Sequence, residues 1–241
     1  MAFARAIPVP APLDMTLRKD VKDFELRILP LGASIVWGKH SSTGNGFRKP
    51  LRDQLVSAGW KVNMVGSKKN GEMIDNEVEA HPGDTIRKAS AAASKSLKFK
   101  PNVVLINAGT NDCRLNIDIP NVGKRMRSLI EDLIKADGMK DTLVVLSTLL
   151  PSGNKAITKN SPSVNKQYRE LVDKMRSEGV SIVLADMNPP DGGWIQYPKD
   201  FKLDGKLDDT HPGDEGYEKM ALVWYMAIQK AAAQNLIKAP K

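Results

Sequence analysis

Ser34 closes the run Leu29-Pro30-Leu31-Gly32-Ala33-Ser34, and Asp208 and His211 stand three positions apart near the other end of the chain. A serine hydroxyl is a weak nucleophile until a base takes its proton, and an imidazole held by a carboxylate is such a base. A turn of Asp-x-x-His spacing can set Asp208 on the His211 ring, fixing its tautomer and stabilising the imidazolium. Asp209 competes for that place, but a carboxylate two residues from the ring orients less readily. Between these ends lies Asn107-Ala108-Gly109-Thr110-Asn111-Asp112, where Asn111 offers a side-chain N–H to a developing oxyanion. Gly83, in His81-Pro82-Gly83-Asp84-Thr85, opens a predicted helix, where unpaired backbone donors gather. Each residue also has an ordinary role. Ser34 and Asn111 suit helix caps and turns, with Asp112 capping the next segment, and His211 before Pro212-Gly213 suits a turn. Singly, those roles are favoured; jointly, the residues are the parts of a Ser-His-Asp ester hydrolase.

Other chemistries are absent from the pattern. Gly32-Ala33-Ser34-Ile35-Val36 lacks the second glycine of a Gly-x-Ser-x-Gly elbow. Gly44-Asn45-Gly46 continues as Phe47-Arg48-Lys49, so it is no dinucleotide fingerprint, and there is no phosphate-binding P-loop. His40, His81, His211 and the single cysteine, Cys113, show no metal-ligand spacing, so neither a metal nor a cofactor is expected. One cysteine also excludes an intramolecular disulfide. The net charge is +8, from 36 basic and 28 acidic residues, but the lysines are spread along the chain apart from short clusters at Lys68-Lys69 and Lys95 to Lys100. A solvated surface accounts for that, and nucleic acid is not expected as a partner. No apolar run approaches the roughly 20 residues of a membrane span. Met1 to Leu17 lacks the continuous apolar stretch of an intact signal peptide.

The residues must then be brought together. Leu26 to Leu31, Val62 to Val65, Val103 to Ala108, Leu143 to Leu149 and Val180 to Ala185 are short runs of Val, Ile and Leu without alternation. That is the pattern of parallel strands covered on both faces. Helical stretches fall between them near Phe47 to Ala58, Thr85 to Leu97, Ile119 to Lys135 and Pro162 to Ser177, with a last helix from Asp214 to Gln234. Pro50 is tolerable only in a first turn, so its helix should start near Arg48 or Lys49. The alternation predicts a three-layer α/β/α sandwich on a five-stranded parallel sheet, with residues 1–23 an extended arm and 24–241 a single domain. Ligands of such sheets bind at the carboxyl ends of the strands. Ser34 follows the first strand and Gly109 to Asp112 the third, so both fall at that edge. Two long loops, Pro151 to Ser161 and Pro189 to Gly205, flank it, the second carrying Trp194 and Tyr197 as candidate substrate-binding residues.

With these four blocks in order, the chain resembles the SGNH (GDSL-type) hydrolase superfamily, through Ser34, Gly83, Asn111 and His211. Leu29 to Ser34, Ser42-Thr43-Gly44-Asn45-Gly46-Phe47-Arg48 and Asp208 to Tyr217 resemble more narrowly its fungal-type carbohydrate esterase family three branch. Ala33 stands where the Gly-Asp-Ser form of the first block has aspartate. The resemblance implies a flavodoxin-like fold and ester hydrolysis through an acyl-serine intermediate. Ser34 would attack, His211 would act as base and then acid, and Asp208 would orient it. The N–H groups of Ser34 and Gly83, with the Asn111 amide, would form the oxyanion hole. The expected activity is deacetylation of carbohydrate such as acetylxylan by a monomer. The alternatives are a lipase, lysophospholipase or thioesterase of the same fold, or a non-catalytic carbohydrate-binding module.

Overall fold

The computed structural model describes residues 24–241, and the expected arm, residues 1–23, lies outside the described residues. One sheet holds β1 (Glu25–Gly32), β2 (Lys61–Met64), β3 (Lys68–Lys69), β4 (Glu77–Ala80), β5 (Val103–Asn107), β6 (Leu143–Ser147) and β7 (Ile182–Ala185). A small hairpin, β8 (Lys202–Leu203) and β9 (Lys206–Leu207), stands apart from it. The helices are α1 (Ser34–Trp37), α2 (Arg48–Ser57), α3 (Ile86–Ala93), α4 (Thr110–Arg114), α5 (Val122–Lys135), α6 (Lys155–Ser177) and α7 (Asp214–Ala233). In the sheet the order is β3-β4-β1-β5-β6-β7, with β2 also on β1, and every pair is parallel except β3 with β4.

The continuous apolar runs conceal a period of two. Leu26 and Ile28 of β1, Val103 and Leu105 of β5, and Leu143 and Val145 of β6 face one core with Ile35, Leu51, Leu55, Met220 and Trp224 of α1, α2 and α7. Leu29, Leu31, Val104, Ile106, Val144 and Leu146 face the other core with residues of α3, α5 and α6. Burial on both faces thus makes the strands apolar throughout. Each fully buried Leu, Ile or Val contributes about 1.5–3 kcal/mol of transfer free energy.

The sheet has seven strands, a correction to the expected five, and the surplus lies beside β1. β2 pairs Glu25 to Ile28, whereas β4 pairs only Leu31 and Gly32 on the same flank. The Ile28 carbonyl accepts from Val65 and the Gly32 carbonyl from His81, so alternate residues of β1 present their polar groups to that side. Pro30 lies between them without an N–H to give. The missing donor falls where β2 leaves and β4 takes over, which is how a proline is tolerated inside a central strand. A second difference concerns α6, which begins at Lys155 rather than at Pro162. The Asn154 side chain caps it by accepting from the N–H groups of Ala156 and Ile157, and Pro162 lies inside the helix. Part of the expected loop Pro151 to Ser161 is therefore helix.

Candidate active site

Ser34 is the first residue of α1, at the carboxyl end of β1, so its N–H has no intrahelical acceptor. Ala33, at the cap position, is 8% exposed and makes no side-chain capping bond. The Ser34 Oγ lies 2.8 Å from Nε2 of His211, and Nδ1 of that ring lies 3.0 Å from Oδ1 of Asp208. The same Oδ1 accepts the backbone N–H groups of Thr210 and His211, each at 2.8 Å. One carboxylate therefore shapes the turn and orients the ring that the turn carries. Asp209 points elsewhere, accepting from the Thr210 hydroxyl and from Asn154.

The electrostatics suit a base. Burial, the largest influence on His211, disfavours the imidazolium and pulls the ring below its usual pKa, although the Asp208 carboxylate acts in the opposite direction. Burial also acts to raise Asp208, but the N–H and ring of His211 and the Thr210 N–H outweigh it, leaving the carboxyl below its usual range. A ring neutral at pH 7 and bonded to a serine hydroxyl can accept that proton.

The turn carrying His211 is held from three sides. The Asp208 N–H donates to the Phe201 carbonyl, and the Gly213 N–H to the Asp200 carbonyl. Asp200 is itself buried and paired with Lys219. The Gly153 N–H and the Ser152 hydroxyl both donate to the Asp209 carbonyl. Arg114, on α4, donates to the Thr210 hydroxyl at 2.5 Å. Sequence reasoning singled out neither Arg114 nor Ser152-Gly153. The signal for Arg114 was present, three positions after Asn111 and on one helical face with it.

The Gly83 and Asn111 blocks meet here as well. Gly109 caps α4 with φ +116°, and a Cβ there would lie 2.7 Å from the Tyr168 hydroxyl, so glycine is required for both conformation and space. The Asn111 Nδ2 donates to the Asp84 carbonyl at 2.8 Å, next to Gly83. Its second N–H remains for another acceptor. Asp112, expected to cap the segment after it, instead accepts the Ile86 N–H at the start of α3 and pairs with Arg125. The blocks are thus tied crosswise, Asn111 to the Gly83 turn and Asp112 to the helix behind it.

Trp194 and Tyr197 are not brought to the triad in the same way. Trp194, 46% exposed, lines a cavity of about 320 Å³ along β7 and α7 with Leu184, Met187, Pro189, Val223 and Met226. Tyr197 packs over Gly153, where a Cβ would lie 2.2 Å from its ring, and meets Phe201 edge-on at 5.5 Å. It backs the loop that holds Asp209. Among the described residues no group of three or more His, Cys, Asp or Glu could hold a metal ion. Nor is any of their helices long and apolar enough to cross a membrane.

Residues 31–219 match the model of the GDSL-like Lipase/Acylhydrolase family. The chain belongs to this family. It is a carboxylic ester hydrolase, and its mostly parallel α/β sandwich is the SGNH hydrolase fold. Among solved structures it is similar to a family 3 carbohydrate esterase of Clostridium thermocellum, with 22% identity, a TM-score of 0.73, and coverage of 88% of this chain and 99% of that one. A family 3 carbohydrate esterase from Talaromyces cellulolyticus gives 19% identity and a TM-score of 0.70, covering 87% and 99%. An acetyl esterase mutant with an acetate ion gives 19% and 0.69, with the same coverage. No curated protein matches the sequence.

Proposed function

We propose that this esterase removes acetyl groups from acetylated carbohydrate, of the acetylxylan type, through an acyl-serine intermediate. The observation that carries the reading is the continuous chain from Ser34 Oγ to His211 Nε2 at 2.8 Å and from Nδ1 to Asp208 at 3.0 Å. Ser34 attacks the ester carbonyl carbon while its proton passes to Nε2. The tetrahedral oxyanion is held by the N–H groups of Ser34 and Gly83 and by the uncommitted N–H of Asn111. His211 then protonates the departing sugar oxygen, leaving acetyl on Ser34. Water, deprotonated by the same ring, attacks the acyl carbon and releases acetate. Ionised Asp208 stabilises the imidazolium at both stages.

Two considerations favour a short acyl group. The neighbours described above include carbohydrate esterases and an acetyl esterase with acetate. The apolar cavity along β7 and α7 includes none of Ser34, Gly83, Asn111 or His211 in its lining, so it supplies no acyl channel to the serine. A series of p-nitrophenyl esters, with acetate release from acetylated xylan, tests the proposal. A steep fall in kcat/KM after acetate, and release of acetate from the polymer, are expected. Equal or rising activity towards octanoate assigns the chain to the lipase-like alternative.

A further inference from the structure

We propose that Glu79 and His81 are positioning residues for the oxyanion hole, acting through the turn that presents Gly83; the inference rests on the esterase reading above. His81-Pro82-Gly83-Asp84 closes with the Asp84 N–H on the His81 carbonyl at 3.1 Å, and Gly83 has φ +91°. Proline second and a positive-φ glycine third are the marks of a type II turn. In such a turn the direction of the Gly83 N–H is set by the plane of the Pro82-Gly83 peptide. Rotation of that plane towards the type I form would exchange the donor for a carbonyl oxygen, which repels an oxyanion. The turn has little packing to prevent this: Gly83 is exposed, and a Cβ added to it would meet nothing. Its geometry must be fixed at its ends.

Both ends are held by one imidazole. Nδ1 of His81 lies 3.3 Å from Oδ2 of Asp84, bridging the turn side chain to side chain. Nε2 faces Oε1 of Glu79 at 3.7 Å. Glu79 lies on β4, paired with Leu31 of β1, and is fully buried. Its Oε2 accepts the Ser96 hydroxyl at 2.5 Å and the Ser67 N–H at 3.2 Å. Its Oε1 is buried with no hydrogen bond of its own. A buried carboxylate oxygen without a donor is costly unless a charged or polar partner faces it, and the His81 ring is that partner. The backbone completes the frame: the His81 N–H donates to the Gly32 carbonyl, two residues before the nucleophile, and Asn111 holds the Asp84 carbonyl. The series Glu79, His81, Asp84, Asn111 therefore links the two proposed oxyanion donors outside Ser34.

The test compares His81→Ala, His81→Gln and Glu79→Gln with the parent enzyme on p-nitrophenyl acetate. Displacement of one group by about an ångström can cost about 100-fold; a fall in kcat of about tenfold or more is expected for His81→Ala, with KM within about twofold. Glutamine at position 81 can still donate to one carboxylate and should recover part of the loss. Glu79→Gln, which keeps the shape of a buried side chain, should also lower kcat. Affinity for a boronic acid that forms a tetrahedral adduct on serine should fall in parallel with kcat. In a double-mutant cycle, His81→Ala and Asn111→Ala should be non-additive, since both act on Asp84. The proposal is overturned if the position 81 variants keep kcat within about twofold, or if boronate affinity stays unchanged while kcat falls. It is also overturned if the loss is wholly accounted for by a lowered urea midpoint. Full activity in His81→Ala alongside an inert Ser34→Ala removes only this inference, whereas an active Ser34→Ala removes the esterase site itself.

Discussion

Replacing Asp208 by asparagine keeps the shape of the side chain and removes its charge, which isolates what the carboxylate does for His211. With Nδ1 and Oδ1 at 3.0 Å, the charge centres of imidazolium and carboxylate are about 4 Å apart. At an effective dielectric of about 20, suited to a partly exposed pair, unit charges at that distance interact by about 4 kcal/mol. The Asp208 side chain is 25% exposed, so that regime applies and the dry-interior figure does not. At about 1.4 kcal/mol per decade, the loss is about 1,000-fold in kcat. It grows further if the amide turns its N–H₂ towards the ring and imposes the wrong tautomer. KM should change little, because the imidazolium exists only once Ser34 has given up its proton. Asp209→Asn is the control: its carboxylate bonds Thr210 and Asn154, and kcat should stay within a few-fold. The assay is steady-state hydrolysis of p-nitrophenyl acetate, with urea midpoints on the same preparations. An Asp208→Asn enzyme retaining more than a tenth of kcat, or an Asp209→Asn enzyme losing more than about tenfold, would refute the reasoning.

Ser34→Ala should abolish turnover with an unchanged urea midpoint, and a fluorophosphonate should label the parent protein but not the variant; labelling at another serine would transfer the nucleophile there. Asn111→Ala should lower kcat by about 10²–10³ with little change in KM. The lost bond to the Asp84 carbonyl should also cost about 1 kcal/mol of stability. A destabilised but fully active variant would reduce Asn111 to a loop tie. The acid limb of kcat/KM should fall below the ordinary imidazole value of 6.5, because burial depresses His211. The sign for stability agrees: neutral His211 favours folding, so its contribution is complete above about 6.5 and fades as pH falls through the lower folded-state value. An acid limb above 6.5 would assign the titration to another group.

The centre of the fold was legible because its strands are buried on both faces: Val103 to Ala108 and Leu143 to Leu149 could be little else. β4 was not, since Glu77-Val78-Glu79-Ala80 carries two acids and no apolar run, and only tertiary context shows that Glu79 is buried. Pro162 misplaced the start of α6, because a proline suits a first turn while the true cap, Asn154, lies in what reads as a loop. At the site, Asp208 was preferred to Asp209 on spacing alone, and the ring lies on Asp208. Of what supports the turn, Ser152 and Gly153 were invisible, since they meet residues 208–211 only after a long crossover, whereas Arg114 shares a helical face with Asn111 but nothing local names Thr210 as its partner. Aromatic loop residues suggested substrate contacts, yet the pattern did not distinguish exposed Trp194 from Tyr197, which packs against Gly153.

Ser34 and the ring it meets are 177 positions apart, and the histidine lies just ahead of α7. During synthesis the hydroxyl emerges from the ribosome long before its base. Until α7 docks Tyr217, Met220 and Trp224 against α2, the hydroxyl remains an ordinary alcohol and the nascent chain is chemically inert towards esters. Recovery of hydrolysis after dilution from denaturant therefore reports the closing of this long loop, whereas circular dichroism reports the local helices that precede it. A lag between the two signals measures how late the amino- and carboxyl-terminal parts of the sequence become one catalyst.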